Sequence, residues 1–116
     1  MKSACYVHNA FLIFMEIIMT KSDNTVNKNA PLVSIIIPVF NVEPYIAKCL
    51  HSVYDQTYLN YEVIIILDGG TAEERIICQT FCERDDRFIL VDQENKGLSG
   101  ARNTGLEKAR GDYIIF

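Results

Sequence analysis

The sequence predicts an α/β domain built on a doubly wound, Rossmann-like parallel sheet, with elements in the order β-α-β-α-β-α-β. Four short apolar runs recur along the chain, and each run is unbroken instead of alternating with polar residues. Unbroken runs are typical of strands that are covered on both faces, as in parallel sheets. Segments with helical spacing separate them, and each βα repeat takes about 30 residues, as parallel crossover connections require.

The first strand is predicted over Val33–Ile37 (VSIII), and Pro38 is expected to end it. The following helix should begin near Pro44, because proline suits the first helical turn, where its missing N–H would have no partner. Its buried face is predicted to contain four apolar residues at helical spacing: Ile46, Leu50, Val53 and Tyr54.

The second strand is predicted over Val63–Leu67 (VIIIL). The helix after it opens with a capping box, in which the Thr71 hydroxyl and the Glu74 carboxylate each accept a free N–H at the helix start. Ile77 and Phe81 follow at helical spacing and supply the apolar face of this helix.

The third and fourth strands are predicted over Phe88–Val91 (FILV) and Tyr113–Phe116 (YIIF). The helix between them carries a stripe of mainly small residues: Leu98, Ala101, Gly105 and Ala109. Gly111 is predicted to end that helix as its C′ residue, a position that favours glycine.

Length and composition limit the classes of function. The 116 residues allow one domain, and a composition of 49% hydrophobic and 22% charged residues excludes a disordered or fibrous chain. Eleven Lys and Arg against fifteen Asp and Glu give a net charge of −4, so the chain lacks the basic face that double-stranded nucleic acid requires. Small phosphorylated ligands remain compatible, because local groups can hold them.

The four cysteines indicate neither a zinc ribbon nor a redox pair. They are Cys5, Cys49, Cys78 and Cys82, none of them in C-x-x-C spacing. Cys78 and Cys82 lie four residues apart on one helical face, where two small packing residues are expected. Nothing in this pattern requires an oxidising compartment, which favours a cytoplasmic location.

Residues 1–30 differ from the rest and are expected to be a flexible or non-native leader to a domain of residues 31–116. Ala10–Met19 (AFLIFMEIIM) is apolar but shorter than the ~20 residues that span a bilayer. Thr20–Ala30 is polar and rich in turn-forming residues. One interpretation is that translation begins at Met19, and the other is a short amphipathic segment at a membrane surface.

The candidate site is expected where the carboxyl ends of the parallel strands meet, since open α/β sheets bind ligands there. Asp68 directly follows a buried strand and could accept a hydrogen bond from a base imide or a ribose hydroxyl, or could instead cap a helix or start a turn. Arg102 lies in the first turn of a helix, where the macrodipole disfavours a cation. Either a diphosphate or an ion pair with Asp92, Glu94 or Glu107 would compensate.

Several familiar catalytic classes are excluded by their missing motifs. G-x-G-x-x-G does not occur, and Gly100-x-x-x-x-Gly105 is followed by Leu106 and Glu107 and not by the Lys-Ser/Thr of a P-loop. No base partner is evident for a nucleophilic Ser or Cys. No catalytic residue is therefore predicted within this chain.

Four blocks of sequence, in register and in order, closely resemble the amino-terminal half of glycosyltransferase family 2. These blocks are Pro31–Asn41, Tyr45–Tyr58, Tyr61–Thr71 and Asn95–Phe116. The resemblance implies a GT-A fold and transfer of a sugar from a nucleotide-sugar, usually a UDP-sugar, to a glycan or lipid-linked acceptor in polysaccharide biosynthesis. It also makes a peripheral position at the inner face of the membrane compatible with a cytoplasmic protein.

The resemblance also implies roles for individual residues. Four match the exit of the family's first strand, which lines the nucleoside pocket: Pro38, Val39, Phe40 and Asn41. Glu43 matches an acidic position often found in that loop. Asp68 matches the Asp that holds uracil, and Arg102 matches the Arg near the base and the diphosphate.

Two departures from the family pattern matter. The family commonly has D-G-S-x-D after its second strand, whereas Gly70 and Ala72 replace the Ser and the second Asp here. The D-x-D motif that follows the fourth strand is absent, so the divalent metal (Mg²⁺ or Mn²⁺) expected for the full-length enzyme must find its ligands outside this chain.

Two interpretations of the chain follow. One is a truncated glycosyltransferase that binds nucleotide without completing transfer. The alternative is a non-catalytic remnant that binds a partner, with a homodimer formed through the exposed terminal strand. A nucleotidyltransferase is disfavoured, because its first loop is generally Gly-rich and basic and Phe40–Glu43 is neither.

Overall fold

The computed structural model describes residues 30–116, so the predicted leader lies outside the described residues apart from Ala30. The predicted order of elements is confirmed. The strands are β1 (Val33–Val39), β2 (Tyr61–Asp68), β3 (Phe88–Gln93) and β4 (Tyr113–Ile115), and the helices are α1 (Glu43–Tyr54), α2 (Ala72–Arg84) and α3 (Gly97–Lys108). None of these helices is long and apolar enough to cross a membrane.

The four strands form one parallel sheet in the order β3-β2-β1-β4, which confirms the doubly wound fold. The chain moves from β1 outward to β3 and then returns across the sheet to place β4 on the other side of β1. Helix α1 connects β1 to β2, helix α2 connects β2 to β3, and helix α3 connects β3 back to β4. Both faces of β1 and β2 are therefore covered, as their unbroken apolar runs require, whereas the outer strands β3 and β4 have exposed residues and do not fit that prediction.

The core has two layers because successive side chains of a strand point to opposite faces of the sheet. Odd-numbered residues of β1 and β2 pack under α1 and α2, together with Ile46, Leu50, Val53 and Phe81 of those helices. Even-numbered residues of the same strands, Ile36, Ile64 and Ile66, form a smaller cluster with Ala101 of α3. Cys78 lies in the larger layer, where burial raises the pKa of its thiol to about 12, as a packing residue would show.

Strand β1 runs through Pro38 to Val39, two residues beyond the predicted end. Proline has no backbone N–H, so it is tolerated in a strand where the neighbouring strand takes no hydrogen bond from that position. Val33 donates its N–H to Asn60 on the β2 side, so the alternating backbone directs Pro38 toward the β4 side. Because β4 pairs only with residues 33–35, the strand continues through Pro38 without losing a hydrogen bond.

The predicted role of Gly111 is wrong. Helix α3 ends at Lys108 with Ala109 as its cap, and Gly111 lies beyond the helix end. A Cβ on Gly111 would lie 2.5 Å from Ser34 Oγ and 2.7 Å from Ser34 N. Glycine is needed there for close approach to β1, a tertiary requirement that has no local signature.

A hydrogen-bond network fixes the segment after α3 to the amino-terminal edge of the sheet. Glu62, only 3% exposed, accepts from Ser34 Oγ at 2.7 Å and from the Arg110 backbone N–H at 2.7 Å. The Arg110 guanidinium also donates to Glu62 Oε2 at 3.1 Å. Burial raises the pKa of Glu62, but the hydrogen bonds from Ser34 and Arg110 outweigh it and leave the pKa below its ordinary value.

Candidate functional site

A cavity of about 250 Å³ opens at the carboxyl-terminal edge of the sheet, where the sequence predicted a site. It lies between the ends of β1 and β2 and the amino-terminal end of α3. Its lining comprises Pro38, Phe40, Asp68, Asn95, Gly97, Leu98 and Ala101. Most of these side chains are apolar, and Asp68 is the one carboxylate among the described residues of the lining.

Asp68 ends β2 and is only 3% exposed. Its Oδ1 atom accepts two hydrogen bonds, from the Lys96 N–H at 2.7 Å and from Gln93 Nε2 at 3.0 Å. Over residues 30–116, its second oxygen, Oδ2, receives no hydrogen bond. An oxygen without a donor, on a buried carboxylate that lines a cavity, is a place where a ligand N–H or O–H would be stabilised.

The structure shows one of the structural roles that the sequence left open for Asp68, the start of a turn. Gly69 adopts φ +70° and donates its N–H to Gln93 O at 2.9 Å, so an Asp-Gly turn is present. Asp68 does not cap α2, which Thr71 caps. It binds instead the N–H of Lys96, the residue that precedes α3, and so ties α3 to the end of β2.

The residues at the end of β1 and in the loop after it, which the family resemblance assigned together to the nucleoside pocket, differ in whether they line the cavity. Pro38 and Phe40 line the cavity, and Phe40 remains 37% exposed. The Val39 side chain is fully buried in the layer under α1, so it does not face the cavity. Asn41 and Glu43 are exposed, and Asn41 adopts the left-handed conformation with φ 53°.

Arg102 lies one residue after Ala101, which lines the cavity, but it is not itself part of the lining. Its guanidinium carbon lies 5.4 Å from the centroid of the Phe116 ring. Within the described part of the chain it forms no ion pair, and Asp92, one of its expected partners, pairs with Arg75. Arg102 is thus an exposed residue on the helix that contributes Ala101 to the cavity.

Two contributors to the site were missed or only partly recognised from the sequence. Asn95 lines the cavity and donates from Nδ2 to the Asp68 carbonyl at 3.4 Å. Its position in the loop after β3 was the available signal. Glu74 was recognised only as a capping residue, and the predicted capping box is confirmed: Thr71 Oγ1 accepts from the Glu74 N–H at 3.1 Å, and Glu74 Oε1 accepts from the Thr71 N–H at 2.9 Å.

The side chains around this cavity do not suit a divalent metal. Among residues 30–116, no group of three His, Cys, Asp or Glu side chains is arranged to hold a metal ion. A hard cation takes six or more oxygen ligands and favours clustered carboxylates, whereas Asp68 is a single carboxylate whose Oδ1 is already occupied.

Comparison with known proteins identifies one family. The family model described as glycosyl transferase family 2 matches residues 34–116. The chain is 48% identical over 84 residues to glycosyltransferase GlyA of Streptococcus pneumoniae, and 46% identical over 86 residues to the uncharacterized glycosyltransferase EpsJ of Bacillus subtilis. These matches cover 72% and 74% of this chain but only 12% and 25% of the two relatives.

A solved structure shares the fold. It is the mannosyltransferase PcManGT of Pyrobaculum calidifontis, determined in complex with GDP-Man and Mn²⁺. The TM-score is 0.63 at 22% sequence identity, and the match covers 97% of this chain and 35% of that one. At this identity the likeness shows the arrangement of strands and helices.

Proposed function

This chain belongs to glycosyltransferase family 2, and from that membership we propose that its cavity binds the nucleoside of a UDP-sugar. The complete enzyme would transfer the sugar to a glycan or lipid-linked acceptor in polysaccharide biosynthesis. Because the chain spans only 12% and 25% of two relatives, we assign nucleotide binding to it and not the complete transfer reaction.

The observation that carries the proposal is the Oδ2 atom of Asp68, which receives no hydrogen bond from residues 30–116. Uracil has a single imide N–H on its pairing edge, which one carboxylate oxygen can accept. Guanine presents two adjacent N–H donors and would use both oxygens, but Oδ1 already accepts from Lys96 and Gln93. Cytosine presents a lone pair in place of the imide N–H and would be repelled. The pattern of satisfied and free oxygens therefore favours uracil.

The rest of the cavity suits a flat pyrimidine. Pro38, Leu98 and the ring of Phe40 supply apolar surface, and aromatic rings stack favourably on bases. The volume of about 250 Å³ is below the roughly 300–1,000 Å³ that is typical of sites for whole drug-sized ligands. It fits a nucleoside and leaves the diphosphate and sugar outside the cavity.

Arg102 is the cation that we assign to the diphosphate. It is exposed next to the cavity, and it has no acidic partner among residues 30–116. A guanidinium binds phosphate oxygens in a planar, bidentate geometry. We assign the divalent metal of the complete enzyme to ligands outside residues 30–116, since no group of side chains within that range fits it.

Calorimetric titration with UDP, CDP and GDP tests the proposal. We expect weak binding of UDP, and weaker binding of CDP and GDP. Asp68→Asn keeps an acceptor for Lys96 and Gln93 but replaces Oδ2 by an N–H donor. It should weaken UDP binding about tenfold, the loss of one charge-assisted hydrogen bond, and shift the preference toward CDP.

Asp92→Asn is the matched control, because Asp92 is an exposed carboxylate that pairs with Arg75. It should leave UDP binding unchanged. Equal affinity for the three nucleotides, or an Asp68→Asn variant that binds UDP as the wild type does, would overturn the proposal. Sugar transfer by the 116-residue chain alone should be undetectable, and robust turnover would contradict the assignment of binding without transfer.

A further inference from the structure

We propose that Glu74 is a positioning residue that holds the two loops of the cavity in register. Its carboxylate accepts one backbone N–H from the loop after β1 and another from the loop after β2. This inference rests on the proposed function, because it concerns the same cavity, but its first measurement does not depend on nucleotide binding.

The geometry places Glu74 between the two loops. Its side chain is fully buried, although it belongs to the first turn of α2. Oε1 accepts from the Thr71 N–H at 2.9 Å, and Oε2 accepts from the Val42 N–H at 2.9 Å. Val42 comes two residues after Phe40, and Thr71 comes three residues after Asp68, so each bond fixes a loop that contributes to the cavity.

Helix capping does not explain the second bond. A capping box requires only the reciprocal bonds between the first residue and the residue three positions later, here Thr71 and Glu74. The bond to Val42 crosses to another loop, 32 residues earlier in the chain. One carboxylate therefore both caps α2 and ties the start of α1 to it.

Burial makes this link strong in both directions. A buried carboxylate is costly unless hydrogen bonds satisfy it, and over residues 30–116 Glu74 forms no ion pair. The two loop amides thus take the place of water around its charge. In return, Val42 is fully buried, so the loss of its acceptor would leave a buried N–H unsatisfied, and displacement of the loop after β1 is resisted from both ends of the bond.

Two backbone features accommodate the carboxylate. Asn41 adopts φ 53°, and this left-handed residue immediately precedes the N–H that Val42 directs at Glu74. A Cβ at Gly70 would lie 3.1 Å from Glu74 Oε1 and 2.1 Å from Leu67 Cδ1. The glycine at position 70, where the family commonly has serine, leaves room for this arrangement.

Amide hydrogen exchange, measured by NMR on the nucleotide-free chain, is the first test. Glu74→Gln keeps the size of the side chain but turns an N–H donor toward one of the two amides. We expect the amide of Val42 or Thr71 to exchange about tenfold faster, the effect of losing one charge-assisted bond. UDP affinity should fall about tenfold, because the released loop no longer holds its side of the cavity in place. Glu74→Asp, which is one methylene shorter and reaches only one loop, should show the same two effects if the Gln variant does not fold.

Glu62→Gln is the matched control, because Glu62 is also a buried, hydrogen-bonded carboxylate but lies at the opposite edge of the sheet. It should lower stability without changing the exchange of Val42 and Thr71 or the affinity for UDP. Unchanged exchange at both amides in the folded Glu74 variant would overturn the inference, and so would a loss of UDP affinity no larger than in Glu62→Gln. If the wild-type chain binds no UDP, the proposed function fails, while the exchange data still decide the role of Glu74.

Discussion

Among single residues in the described part of the chain, three carboxylates are buried, and each accepts hydrogen bonds from a different set of donors. Glu62 pairs with the guanidinium and the backbone of Arg110. Glu74 accepts two backbone amides. Asp68, which lines the cavity, has both donors on one oxygen and no donor from residues 30–116 on the other. Full satisfaction fits a structural role, and incomplete satisfaction fits a ligand site.

Glu62 should make stability dependent on pH. Its pKa in the folded chain lies below the ordinary value of 4.5, because the hydrogen bonds from Ser34 and Arg110 outweigh the opposing effect of burial. The stabilisation is therefore fully present above pH 4.5 and is lost as the pH falls through the folded pKa. The free energy of unfolding in urea should be about 1–3 kcal/mol lower for Glu62→Gln than for the wild type at pH 7. The difference should shrink as the pH falls below 4.5. A difference that stays constant down to pH 3 would contradict this.

At the scale of the element, helix α3 illustrates how packing overrides local preference. It contains Gly97, Gly100 and Gly105, although glycine costs about 1 kcal/mol relative to alanine inside a helix. Gly105 and Ala101 are buried against the sheet. A Cβ on Gly105 would lie 2.3 Å from Ile36 Cγ2, so the missing side chain allows α3 to approach β1 closely.

Gly105→Ala should therefore destabilise the protein. The gain in helix propensity of about 1 kcal/mol is expected to be outweighed by overpacking against Ile36, which typically costs 1–3 kcal/mol and can exceed that where the core is tight. Asn103→Ala, at an exposed position of the same helix, should stabilise it by a few tenths of a kcal/mol or slightly more. Thermal unfolding of both variants measures the effects, and an increased Tm for Gly105→Ala would refute the packing argument.

Across the whole molecule, the strand order β3-β2-β1-β4 leaves some strands of the sheet more exposed to solvent than others. Strands β1 and β2 have partners on both sides, and every residue of both is buried. Strand β4 has three residues and pairs along one edge, and Tyr113 and Ile114 are 51% and 41% exposed. The homodimer expected through this strand stays a prediction.

Hydrogen exchange should follow this order. The amides of β1 and β2 should exchange slowest, at rates set by global unfolding, while those of β4 open by local fraying. Exchange followed by mass spectrometry on peptides that cover each strand measures the difference. Amides of β4 that are protected as strongly as those of β1 would show that another surface covers this edge.

Much of the element order was predictable from the sequence, because its signals come from neighbours along the chain. The apolar runs, Pro44 in the first turn of α1 and the Thr71–Glu74 capping box are local patterns, and all three are confirmed. The strand ends and Gly111 were placed wrongly. Both depend on which strand lies alongside, and that information is not local.

Local patterns along the chain were enough to predict the class of fold and the edge of the sheet where the cavity opens, and the resemblance predicted the family. Which side chains reach the cavity, and which hydrogen-bond to one another, depends on contacts between distant parts of the chain. The Val39 side chain packs in the core. Asp68 accepts a hydrogen bond from the N–H of Lys96, which is 28 residues away in sequence, and Glu74 accepts one from the N–H of Val42. These partners are brought together by the stacking of parallel strands, and no spacing along a single element encodes a contact between separate loops.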